Sequence, residues 1–159
     1  MEKKDTTLVV PAFRLCKELT LLMTGWEHAM IRLKEAQNLV PANYSNLELD
    51  FQEAWRESKR NAIMIGGEIR KAKQNIEEVK SDIILDEIPK VLVDLPKSAN
   101  NADFRRAIMN RNEEYKGSVQ HLDKLDAMLE HFESHMKIME NTSRFLKKQM
   151  DYIIRNGRG

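Results

Sequence analysis

Apolar residues recur along this chain at alternating steps of three and four, the repeat of a helix that buries one face. In the first run Ala12, Leu15, Leu19, Leu22, Trp26, Ala29, Leu33, Ala36 and Val40 form a stripe, widened by Phe13, Cys16, Met23 and Met30. Pro11 suits a first helical turn, and the residue before Pro41 is biased away from the α region. The pattern predicts a helix near 11–39.

A second start follows at once. Ser45-Asn46-Leu47-Glu48 fits a capping box, in which hydroxyl and carboxylate satisfy orphan backbone N–H groups. Phe51, Trp55, Ser58, Ala62, Ile65, Ile69, Ala72, Ile76, Val79 and Ile83 then keep phase through Gly66-Gly67, giving a helix near 46–87. Two glycines cost about 1 kcal/mol each inside a helix. Close approach of a neighbouring helix would explain them, and so would a hinge. Residues 88–100 read as a short apolar connector with a break near Pro89, ending in asparagines able to cap the next helix.

The last helix is predicted near 101–155. Phe104, Ile108, Arg111, Tyr115, Ser118, Leu122, Leu125, Leu129, Phe132, Met136, Met139, Ser143, Leu146, Met150 and Ile153 hold a heptad repeat, the signature of a coiled coil. A helix of about 50 residues is roughly 75–80 Å long, whereas the first has only about 28 residues. An antiparallel bundle of unequal helices would leave Leu146, Met150 and Ile153 exposed. Leu129, Phe132, Met136, Met139, Leu146, Met150 and Ile153 are therefore the expected interface for a second copy or another partner. The expected fold is all-α: one domain, an elongated antiparallel helical bundle with a long coiled-coil C-terminal helix.

Composition agrees with that architecture. Of 159 residues, 32% are charged and only 6% aromatic, with six Gly and four Pro, which disfavours thick-cored sandwiches and phosphate-loop folds. A single cysteine, Cys16, excludes an intrachain disulfide and reads as a buried thiol. The charged N-terminus lacks a signal-peptide core, and no stretch approaches a membrane span, so a cytoplasmic location is expected, the host's if the protein is viral.

Candidate chemistry is sparse. Nucleotide-binding glycine loops and nucleophile elbows are absent, and Glu77-Glu78, Asp86-Glu87 and Glu113-Glu114 are adjacent pairs that diverge around a helix. His131 and His135 have the spacing of a two-ligand zinc site but no third donor nearby. We therefore expect no enzyme, no cofactor and no metal.

Charge placement says more than the net of +1. Arg56, Lys59, Arg60, Arg70, Lys71 and Lys73 against Glu57 and Glu68 net +4, as does the segment from Met136 onward, which holds Arg144, Lys147 and Lys148. From Glu77 to Asp94 six acids face two lysines, a net of −4. The basic clusters read as a phosphate-binding surface or as solvated helix faces. With Phe145 and Tyr152 the only aromatics in the C-terminal cluster, binding would be backbone-driven. Ser143-Arg144-Phe145-Leu146-Lys147-Lys148-Gln149-Met150-Asp151 resembles the C-terminal helix of the UvsY family of phage recombination mediators over nine residues. The segment lacks that family's Gly after the arginine. The resemblance implies an oligomeric helical protein that loads a recombinase onto single strands, with Arg56 to Lys73 as strand-binding surface. The rival reading is a protein-interaction module, a phage-encoded inhibitor or adaptor docking through its apolar seam or acidic stretch.

Overall fold

The computed structural model describes residues 7–11, 18–35, 41–93, 95–96 and 100–157. The fold is all-α with one small antiparallel hairpin, and no described helix is long and apolar enough to cross a membrane. Packing divides the chain into two compact units, one built from residues up to Ile65 together with Met128 onward, the other from Gly66–Ala127.

In the first unit, strands β1 (Thr7–Pro11) and β2 (Glu18–Leu22) pair with Thr7 opposite Leu22 and Pro11 opposite Glu18. The helix expected from residue 11 therefore begins only at Thr24, as α1 (Thr24–Glu35). Thr7-Leu8-Val9-Val10 is rich in β-branched side chains, which suit a pleated strand better than a helical turn. Leu19 and Leu22 fit a helical stripe by spacing alone, yet Leu21, outside that stripe, is fully buried and Leu22 only half-buried. Ala12, Phe13, Leu15, Cys16, Ala36 and Val40 lie outside the described residues.

The start of α1 is tied to α2: the amides of Gly25 and Trp26 donate to the Glu57 carboxylate at 2.9 and 3.3 Å. Gly25 must be small there, because a Cβ would meet the Ala54 backbone at 3.3 Å. Asn61 donates through Nδ2 to the Leu22 carbonyl at 2.7 Å, fixing the end of β2.

Helix α2 (Pro41–Asp82) starts earlier than the capping box suggests, with proline in the first turn, so Ser45 lies within it and is exposed. Its apolar stripe is otherwise as expected: every position is buried except Trp55, which is half-buried. Gly66 and Gly67 are not there for close approach, since a Cβ at either would find nothing within 4 Å. Ala at each should raise stability by about 1 kcal/mol through helix propensity. An unmoved urea midpoint for Gly66→Ala and Gly67→Ala would instead show that the helix uses their freedom.

In the first unit α2 and α5 (Glu113–Asn156) run antiparallel: Tyr44 feels the Asp151 carboxylate, and Trp55 meets Glu140. Their core holds Ala29, Leu47, Phe51, Ala54, Met139 and Leu146, with Trp26, Met30 and Leu33 of α1 packed against it. The seam expected to lie exposed is thus covered within the chain. Phe132, Met139, Leu146 and Met150 are buried, and Leu129, Met136 and Ile153 half-buried, so α1 and α2 do what a second copy was expected to do.

In the second unit α2 runs into a π-helical turn at Ile83–Glu87 and a short helix α3 (Ile88–Leu92) instead of breaking at Pro89. Proline cannot donate to the preceding turn, and the widened turn accommodates it. The Ile88 amide donates to the Ile83 carbonyl, five residues back. On an α-helix these two isoleucines would point ~140° apart; here both are buried in one cluster with Val79. Phe104, Ile108 and Tyr115 pack against that cluster.

The predicted 55-residue helix is two: α4 (Ala102–Met109), capped by Asn101 through the Phe104 amide at 2.9 Å, and α5. Asn112 makes the break, accepting from the Tyr115 amide at 2.8 Å while its own amide donates to Glu87 at 2.7 Å. Exposed Arg111 sits in the link and not in a seam. Beyond it, buried Asn75 donates to Ser118 Oγ at 2.9 Å, and Ser118 donates to the Glu114 carbonyl at 2.8 Å.

Candidate nucleic-acid interface

The buried positions of α5 fix which side of it faces solvent. Between Met128 and Asn156, His131, Ile138, Phe145 and Tyr152 follow one another at seven-residue intervals on the outward side, all exposed. Seven residues fall only ~20° short of two turns, so these four form one column. Phe145 is 59% exposed and Tyr152 66%, unusual for rings of this size. Lys148 and Arg155 stand beside it and Lys137 and Arg144 farther round on the same side, all exposed. Lys137, Lys147, Lys148 and Arg155 make no ion pair among the described residues. Arg144 approaches Glu140 only to 3.9 Å, beyond hydrogen-bond distance.

Arg144 lines a groove of about 260 Å³ between α2 and α5 together with Trp55, over whose ring Lys59 sits. The Trp55 indole N–H donates to Glu140 at 3.0 Å, and the Lys59 ammonium sits 4.8 Å from the centre of the Trp55 ring. The other predicted cations scatter. Arg56 and Arg60 line a cavity of about 400 Å³ beside the start of α1 together with Glu53 and Glu57, so two acids offset their charge. Arg70, Lys71 and Lys73 belong to the second unit, where Lys71 pairs with Glu68 at 2.7 Å.

Sequence reasoning missed Trp55 and Glu140, which are 85 positions apart. It also missed the outward column, whose spacing was readable but lies one residue before the stronger seam of Met139, Leu146 and Ile153.

The two close histidines do something other than await a metal. His135 is buried, stacked on Trp26 with ring centres 3.6 Å apart and planes 3° apart, while His131 lies 4.0 Å away. Burial, and secondarily the neighbouring His131, lowers the His135 pKa to about 4. Among the described residues no group of three or more His, Cys, Asp or Glu is arranged to hold a metal ion.

No protein-family model, curated protein or solved structure matches this chain.

Proposed function

We propose that the protein is a non-enzymatic accessory factor of nucleic-acid metabolism that holds single strands on the outward face of α5. The carrying observation is the column of Phe145 and Tyr152 with Lys137, Arg144, Lys148 and Arg155 along one side of it. Bases stack on exposed rings whatever their identity, worth about 1–3 kcal/mol each, while cations follow the phosphates. Lys147 adds charge on the far side of α5, two residues on from Phe145, and Lys59 adds it above the Trp55 ring. Arg56 and Arg60 contribute less, because Glu53 and Glu57 share their cavity.

A partner helix is the competing occupant of that face, and its pattern argues against one. A coiled-coil seam needs two apolar columns. Here the column on one side of the aromatic one holds Ser134, Asn141, Lys148 and Arg155, and the column on the other holds Met128, His135, Thr142 and Gln149, so neither is continuously apolar. The resemblance of Ser143–Asp151 to the UvsY mediators fits the same reading, and a phage mediator would work in the host cytoplasm as an oligomer.

The test is anisotropy of a labelled single-stranded oligonucleotide at ~50 and ~200 mM salt. Affinity should fall at least about tenfold across that range, as expected for several phosphate contacts. Lys147→Glu with Lys148→Glu should weaken binding about tenfold or more at the lower salt. Absence of binding at ~50 mM, or indifference to the double charge reversal, refutes the assignment.

A second reading is supported by the end of the second unit. Leu85 is 68% and Val93 80% exposed, beside the exposed Asp82 and Asp86. Apolar residues rimmed by acid suit a basic protein partner. A tight protein complex abolished by Leu85→Lys, with no strand binding, would favour it.

A further inference from the structure

We infer that the groove beside Trp55 is a nucleobase pocket that prefers guanine and places the attached phosphate on Arg144. This deepens the strand-binding reading and rests on it for the class of ligand, since a strand following the α5 cations passes Arg144, which lies on both surfaces.

The shape of the site limits its occupant. At about 260 Å³ it is smaller than the ~300–1,000 Å³ typical of sites for drug-sized molecules, which leaves room for a single flat ring system. Phe51 and Met139, both almost wholly buried, supply apolar lining, and Trp55 supplies an aromatic one. Gln52, Glu140, Ser143 and Arg144 are the polar groups that line it. Apolar walls with a few placed polar groups are what recognition of a ring with a polar edge requires.

Glu140 sets the preference. Its Oε1 accepts the Trp55 indole N–H at 3.0 Å, which orients the carboxylate. Oε2 is 3.9 Å from the Arg144 guanidinium, so it keeps acceptor capacity. A carboxylate accepts only, and the base edge meeting it must donate. Guanine presents N1–H and N2–H₂ side by side, two donors for one carboxylate. Uracil and thymine offer a single N3–H between two carbonyls, which would confront Glu140 with an acceptor. Lys59 above the indole helps to hold the ring in place.

The experiment follows the Trp55 indole N–H by NMR in the full chain, with Trp55→Phe identifying its resonance against that of Trp26. GMP should shift this resonance saturably, and UMP should need at least about tenfold higher concentration. Glu140→Gln keeps an acceptor for the indole but presents an amide donor to the base, so the preference for GMP should vanish. Arg144→Ala should weaken GMP about tenfold while leaving guanosine unchanged. Equal response to GMP and UMP in the wild-type chain overturns the inference. So does an unmoved resonance with GMP when labelled oligothymidine still binds, an outcome that leaves the α5 surface standing. GMP binding without oligothymidine binding supports the pocket and removes the surface, and binding of neither removes both.

Discussion

Replacing Phe132 with Ala is expected to cost about 3–5 kcal/mol of stability, the range for losing a buried aromatic ring and leaving a cavity. Phe132 is fully buried on α5, with His131 and His135 presented edge-on at ring-centre distances of 5.8 and 6.1 Å. Urea unfolding followed by circular dichroism reads the loss. The concentration dependence carries equal weight. A core residue gives the same loss at micromolar and at ten times that concentration, whereas a residue at a subunit interface gives a loss that depends on protein concentration. A cost under about 1 kcal/mol would mean that the ring is not the core residue its burial indicates.

The second large effect is with pH. His135 titrates near 4 in the folded chain, chiefly because it is buried and secondarily because His131 is close, against about 6.5 when unfolded. The unfolded chain therefore takes up the proton first as pH falls. The stability associated with neutral His135 is fully present above about pH 6.5, declines through the interval, and is lost below about pH 4. The depth approaches about 3 kcal/mol, from the separation of the two pKa values. Phe at 135 keeps a ring against Trp26 and removes the titration. Wild type minus His135→Phe should thus slope between pH 6.5 and 4 and be flat above. Parallel stability curves would show that His135 is protonated without penalty.

What the sequence displays most openly is burial that repeats. The α2 stripe from Phe51 to Ile83 is legible because ten positions keep one phase, and a long phase-locked run has few alternatives. The same strength misleads at Asn110–Asn112. The steps from Ile108 to Arg111 to Tyr115 continue the three-four spacing across a link of three residues, so periodicity alone cannot register the break. The signal there is chemical: an asparagine ahead of Glu113-Glu114, a helix start with acids in its first turn. At the N-terminus Leu19 and Leu22 satisfy the helical period while the residues opposite them, Thr7 to Val10, are strand formers. A hairpin is decided by which segments pair, and that is not local information. The candidate surface is half legible for a related reason. The cations are visible by type, whereas the rings that accompany them are identified only once Met139, Leu146 and Met150 have fixed the inner side of α5. Trp55 and Glu140 meet only through the antiparallel register of α2 against α5.

The cap on α1 bears on the order in which the chain assembles. Its first amides are held by Glu57, which lies 32 residues beyond Gly25, so their partner arrives only with α2. Twelve residues is marginal for an isolated helix in water, and the partner of its Gly25 and Trp26 amides comes only with α2. The first turn of α1 is thus completed only once α2 is docked, and the Gly25 and Trp26 amides are expected to exchange with solvent when that docking is undone.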